Sequence, residues 1–144
     1  MQQISVAVGS ILLVEDSAID LDIALRAFKR CQLCRPVQIA RDGEEVVAFM
    51  QQWETGQPVP NVILLDMNLP KIGGLEVLRR LKSHEDFKTI PVIMLTSSGK
   101  DRDIHEAYQL GANSYVIKPM DFGSYRELAA QIETYWCKVN TPPR

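Results

Sequence analysis

The chain has no apolar run approaching the roughly 18 residues of a membrane span, no block of basic residues, two histidines and three cysteines in 144 residues. Without such a run, and with Met1 to Gly9 lacking a positive segment followed by a long apolar stretch, no spanning helix or secretory leader is expected, and the chain reads as cytoplasmic. A formal charge of -2 at pH 7, with cations dispersed, lacks the electrostatic footprint of a nucleic-acid binder. His84 and His105 have no neighbouring ligand types and read as solvent-facing. Cys31-Gln32-Leu33-Cys34 has C-x-x-C spacing but falls at a predicted helix end. No second such pair completes a zinc set and Cys137 makes the count odd, so packing or surface thiols are expected.

What is present is an ordinary globular balance, 46% hydrophobic and 24% charged, at the usual size of one domain. Apolar β-branched runs alternate with amphipathic stretches, the sequence form of repeated βα units around a parallel sheet. Strands are expected at Ser10–Val14, Pro36–Ala40, Val62–Leu65, Pro91–Leu95 and Ser114–Ile117. Helices are expected near Ser17–Cys31, with Leu21, Ala24, Leu25 and Phe28 at i, i+3, i+4 and i+7, then at Glu44–Trp53, Leu75–Ser83, Arg102–Leu110 and Phe122–Lys138. Asn68 to Gly74 must be a loop, because proline and paired glycines oppose regular structure, and Gly111 is placed to stop the fourth helix. The expected organisation is an N-terminal extension over residues 1–9, one α/β domain over 10–138 and a tail over 139–144, frayed at Pro142-Pro143.

Polar groups sit where the strands stop. Ile11-Leu12-Leu13-Val14 meets Glu15-Asp16, Val62-Ile63-Leu64-Leu65 meets Asp66, Val92-Ile93-Met94-Leu95 meets Thr96-Ser97, and the last strand meets Lys118-Pro119. In an open parallel sheet ligands bind outside the carboxyl ends of the strands, so Glu15, Asp16, Asp66, Thr96 and Lys118 are expected to converge on one site. Three crowded carboxylates repel one another unless a cation intervenes, and hard oxygen ligands suit Mg²⁺. Phosphoryl transfer to an aspartate would use every group: a carboxylate nucleophile, a metal and an ammonium to offset charge on the equatorial oxygens, and a hydroxyl that donates only once phosphate is present.

Glu15-Asp16, Asp66-Met67-Asn68-Leu69-Pro70 with Gly74 and Leu75, Thr96-Ser97, and Tyr115-Val116-Ile117-Lys118-Pro119, in this order, resemble the receiver domain of two-component response regulators over about residues 10 to 138. The resemblance implies a doubly wound, flavodoxin-like sheet of five parallel strands in the order 2-1-3-4-5 with five helices. It further implies that Asp66 accepts a phosphoryl group from a phosphohistidine on a sensor histidine kinase or phosphotransfer protein. Asp16, Asp66 and the Asn68 carbonyl would hold Mg²⁺, with Glu15 reaching it through water. Lys118 would pair with the phosphate, Thr96 would be the switch, and Tyr115 the aromatic that swings inward. Family members often have a cis bond at the position of Lys118-Pro119.

Two positions depart from the common pattern. Gly73 stands where many receivers carry an acidic residue, and Ser98 is small and neutral at a position thought to tune the lifetime of the modified state. The Trp53–Pro60 loop, the Ser83–Pro91 connection and Tyr135-Trp136 are similar to single-domain receivers that partner bacterial phytochromes and commonly form homodimers; equally, Tyr135 and Trp136 would simply seat the last helix. A downstream protein partner is expected at the face made by the fourth helix, fifth strand and fifth helix. Two other readings stay open. One is an Asp-nucleophile phosphatase, disfavoured because its nucleophile follows the first strand with a second Asp two residues on, where position 68 is Asn. The other is an interaction module that works without phosphorylation.

Overall fold

The computed structural model describes residues 10–29 and 37–143. Cys31, Cys34, the predicted helix end at Cys31 and the predicted strand start at Pro36 lie outside these. In chain order the elements are β1 (Ile11–Val14), α1 (Ala18–Lys29), β2 (Val37–Ala40), α2 (Gly43–Glu54), β3 (Val62–Leu65), α3 (Gly74–Ser83), β4 (Val92–Thr96), α4 (Asp101–Gln109), β5 (Ser114–Ile117) and α5 (Phe122–Thr134). All pairings are parallel and the sheet order is β2-β1-β3-β4-β5, so the doubly wound architecture expected from the residue pattern and the family resemblance is the one observed.

β1, β3 and β4 are buried along their whole length, as strands covered by helices on both faces must be. Alternate side chains then serve two cores. Leu12, Val14, Ile63, Leu65, Val92 and Met94 meet Val46 and Trp53 of α2, Val77, Leu78 and Leu81 of α3 and Ala107 of α4. Ile11, Leu13, Val62, Leu64, Ile93 and Leu95 meet Leu21, Ala24, Ala27 and Phe28 of α1 and Tyr125, Ala129 and Ile132 of α5. Each fully buried leucine in these layers stabilises the fold by roughly 1.5–3 kcal/mol. Leu25, expected on the buried face of α1, is only partly buried.

Local signals set the element ends. Asp42 caps α2 by accepting from the Glu45 N–H at 2.8 Å, and Asp121 caps α5 by accepting from the Ser124 N–H at 3.0 Å. Gly111, at φ +107°, ends α4, its N–H donating to the Tyr108 carbonyl. At the C-terminal end the α-helical pattern stops at Thr134 and continues as one π-helical turn, Tyr135–Val139, rather than as α-helix to Lys138. Trp136 packs on the α1–α5 side and its carbonyl accepts from Asn61 Nδ2 at 3.2 Å, so it seats this segment, while Tyr135 is 49% exposed.

Two further expectations are corrected. His84 is not simply solvent-facing: its ring stacks on Phe87 with centroids 4.0 Å apart, and Nε2 lies 3.0 Å from a Glu54 carboxylate oxygen, because the start of the Ser83–Pro91 connection folds against the end of α2. His105 is exposed, as expected. Cys137, the one cysteine among the described residues, is disulfide-bonded rather than a free thiol; the last helix packs against α1, a neighbourhood that spacing along the chain does not reveal. Pro142 and Pro143 are exposed, carry no regular structure and border a cleft of about 480 Å³ with Pro58, Pro60 and Pro91.

Candidate functional site

The register of the sheet aligns the strand ends. Val14 pairs with both Ala40 and Leu65, Leu65 with Met94, and Thr96 with Ile117. Backbone hydrogen bonding continues one residue past several of these ends. The Glu15 N–H donates to the Ala40 carbonyl at 3.0 Å, the Asp66 N–H to the Val14 carbonyl at 3.1 Å and the Lys118 N–H to the Thr96 carbonyl at 2.9 Å. These three side chains are therefore carried by ordered backbone rather than by free loops.

Lys118 is the hub. Its Nζ lies 2.7 Å from Glu15 Oε1, 2.8 Å from Asp20 Oδ2 and 3.2 Å from Asp66 Oδ2. Glu15 also accepts from the Ser17 N–H at 3.1 Å, and Asp66 Oδ1 accepts from the Asn68 N–H at 3.3 Å. Glu15 and Asp66 are 3% and 5% exposed. Burial, with a smaller contribution from the Asp66 charge, pushes the Glu15 carboxyl up to about 7 against the opposing pull of Lys118. For Lys118 burial works against the ammonium, but hydrogen bonds to Asp20 and Glu15 and the Asp66 charge outweigh it and hold its pKa above the ordinary lysine value.

Carboxylate oxygens of Glu15, Asp16 and Asp66 all lie within 4.8 Å of one another. This oxygen-only set, two members buried and Asp16 exposed, fits a hard divalent cation with room for water. The Asp16 carbonyl accepts from Arg41 Nη2 at 3.0 Å. The Thr96 hydroxyl, 0% exposed, has no hydrogen-bond partner among the described residues. A buried donor left unmade costs about 1–3 kcal/mol, so an acceptor brought to this edge could gain the Thr96 hydroxyl as a donor.

The five residues expected to converge, Glu15, Asp16, Asp66, Thr96 and Lys118, thus all lie at the carboxyl edge of the sheet. Asn68 meets Asp66 through its N–H, and its side chain is exposed. Tyr115 donates its hydroxyl to the Ser98 carbonyl at 2.8 Å, and the Ser98 hydroxyl donates to Asp103 of α4. Burial raises the Tyr115 pKa, so the phenol keeps its proton for that bond.

Two features go beyond the sequence reading: Asp20, which it did not single out, and the reason for Gly74, which it named only within the receiver motif. Asp20 contacts Lys118 across 98 positions; its spacing of four from Asp16 at the start of a helix was the available signal. Gly74 is required by close approach: a Cβ there would lie 2.2 Å from the Asp66 carbonyl oxygen.

Comparison with known proteins agrees with this geometry. The family model for the response regulator receiver domain matches residues 11–131. Response regulator Rcp1 from Synechocystis is 38% identical over 135 residues, 92% of each chain, and the crystal structure of its Mn²⁺-bound form superposes with a TM-score of 0.84 over 94% of this chain and 99% of that one. The phosphorylated cyanobacterial phytochrome response regulator RcpA is 34% identical, with a TM-score of 0.87 over 96% of this chain and all of the other. With an acid-lined sheet edge, a central lysine and a family match over most of its length, this chain belongs to the response regulator receiver domain family.

Proposed function

We propose that Asp66 is the phosphoacceptor of a stand-alone receiver. Receiver domains bind a divalent metal and exchange signals with histidine kinases and downstream proteins; the assignments to particular residues of this chain are our own reading. The observation that carries it is the convergence of Glu15, Asp66 and Lys118 within hydrogen-bonding distance at aligned strand ends.

In the proposed step an Asp66 carboxylate oxygen forms a bond to phosphorus while the bond from phosphorus to the donor breaks, and the electron pair leaves with the donor group. Glu15, Asp16, Asp66 and the Asn68 carbonyl would hold Mg²⁺, which when bound offsets charge on the phosphoryl oxygens. Lys118 pairs with one phosphoryl oxygen. The Thr96 hydroxyl donates to another, and gaining that partner is worth about 1–3 kcal/mol to the phosphorylated state, enough to shift a two-state equilibrium by roughly 5- to 150-fold.

Tyr115 and Ser98 would carry the change to α4 through their bond and the Ser98–Asp103 contact. Tyr108, Ile117, Met120 and Phe122 are exposed apolar side chains on α4, β5 and the start of α5, which supports this face as the partner surface. By likeness to RcpA, the upstream kinase is proposed to be of the phytochrome class. No helix among the described residues is long and apolar enough to cross a membrane, consistent with action on a partner protein in the cytoplasm.

Intact-mass measurement after incubation with acetyl phosphate and Mg²⁺ tests the reading. The mass should rise by one phosphoryl group, and both EDTA and Asp66→Asn should abolish the increment. Undiminished labelling of Asp66→Asn would place the acceptor elsewhere.

A further inference from the structure

Lys118 has one partner that the phosphoacceptor geometry does not require. Glu15 and Asp66 belong to the acidic trio whose oxygens could share a cation, whereas Asp20 does not. Yet Asp20, in the first turn of α1, places Oδ2 2.8 Å from Nζ. Its own placement is fixed by a closed chain of contacts: its N–H donates to the Ser17 hydroxyl at 3.2 Å, the Ser17 N–H donates to Glu15 at 3.1 Å, and Glu15 returns to Lys118 at 2.7 Å. The end of β1, the start of α1 and the end of β5 are tied together through one ammonium.

Building on the phosphoacceptor reading, we propose that Asp20 is a positioning residue for phosphoryl transfer, holding the Lys118 ammonium at Asp66 independently of the acidic trio. Lysine ends a flexible four-carbon stem that must surrender rotamer freedom to stay in one place. Charge-assisted hydrogen bonds are the strongest available restraint, and an ammonium has three donors to distribute. With one donor turned to a phosphoryl oxygen and the trio committed to a cation, the bond to Asp20 keeps the lysine seated.

Asp20 exchanges no proton and forms no covalent bond in the step. With acetyl phosphate, the Asp66 oxygen–phosphorus bond forms, the bond between phosphorus and the acetate oxygen breaks, and acetate leaves with the electron pair.

A double-mutant cycle on Asp20 and Lys118 tests this. Asp20→Ala should slow labelling by acetyl phosphate at saturating Mg²⁺ about tenfold. Asp20→Asn, which keeps an acceptor without the charge, should slow it less, and in a Lys118→Ala background Asp20→Ala should have no further effect. The Lys118 side-chain ammonium resonance of the Mg²⁺-saturated protein should be visible in the ¹H–¹⁵N spectrum and broadened beyond detection in Asp20→Ala, with the unfolding midpoint little changed. Unchanged or faster labelling in Asp20→Ala, an equal slowing in the Lys118→Ala background, or an unaltered ammonium signal would overturn the proposal. Failure of the unsubstituted chain to label would instead overturn the phosphoacceptor reading beneath it.

Discussion

At the scale of single residues, the site is held together by charges that the fold itself makes costly, and Glu15 is where that cost is measurable. Burial pushes its carboxyl up to about 7 in the folded chain against an ordinary value of 4.5. The folded state therefore binds the extra proton between those values, and stability must be greatest below pH 4.5 on this account and decline as pH rises through 7. Asp42, Glu76 and Asp121 are lowered, Glu76 to about 2, so their opposite effect falls at more acid pH, outside this window. Metal-free protein should accordingly lose on the order of 1–3 kcal/mol between pH 5.5 and 8, seen by calorimetry as a fall in Tm of about 5 °C. Glu15→Gln should flatten the dependence, and Mg²⁺ should restore more stability at pH 8 than at pH 5.5, where a proton competes for Glu15. A Tm that rises over this interval in metal-free protein would contradict the assigned burial. Glu15, Asp66, Thr96 and Lys118 were legible in the sequence because each directly follows or ends a strand. Asp20 was not, because its partner is 98 residues away, and the stacking of His84 on Phe87 likewise needed the fold to bring the end of α2 against the Ser83–Pro91 connection.

At the scale of elements, the connection from β3 to α3 shows how a loop predicted only as a loop is constrained atom by atom. Lys71 adopts φ +65°, a left-handed conformation uncommon for a residue with a side chain, and its ammonium is 3.4 Å from Asp42 and 3.1 Å from Glu44 across at α2. The paired glycines that follow are not equivalent. Gly73, the N-cap of α3, has no heavy atom within 4 Å of where a Cβ would sit, whereas at Gly74 that atom would strike the Asp66 carbonyl oxygen at 2.2 Å and Met67 Cα at 2.6 Å. Both of those neighbours are main chain and cannot rotate away. Gly73→Asp should then be tolerated and add a few tenths of a kcal/mol by capping α3. Gly74→Ala should destabilise by about 3 kcal/mol and lower phosphoryl uptake, because relief of the clash moves Asp66 itself. Urea unfolding of the two variants separates them, and equal stabilities would refute the close approach. The sequence located this turn from its proline and glycines, but which glycine touches the acceptor strand depends on the approach of α3 to the sheet, which periodicity does not encode.

At the scale of the whole molecule, the sheet is buried in the middle and only partly buried at both edge strands, β2 and β5, with the thinner helix cover on the β5 side. β1, β3 and β4 are buried throughout, but β5 is partly buried and ends exposed at Ile117. α3 buries Gly74, Val77, Leu78 and Leu81, while α4 buries Ala107 alone. Alternating runs were enough to predict five βα units with their carboxyl edge in common. The order of strands came from family likeness, since several parallel orders satisfy the same run pattern, and the uneven burial of the edge was not legible because it depends on which helix covers which strand. The unevenness gives direction to any signal. Local opening is least costly where few apolar groups are buried, so under the proposed switch a change at Thr96 would propagate into α4 and β5 more readily than into α2 and α3. Amide hydrogen exchange should therefore be faster in residues 101–109 than in residues 74–83 of the unmodified protein. Beryllofluoride with Mg²⁺ should slow exchange across residues 96–104 and 114–118 while leaving residues 43–54 as they were. Should protection change only beside Asp66, or nowhere, the α4–β5 edge would not be the output of a phosphorylation switch, and the chain would act as an interaction module whose partner binds irrespective of the state of Asp66.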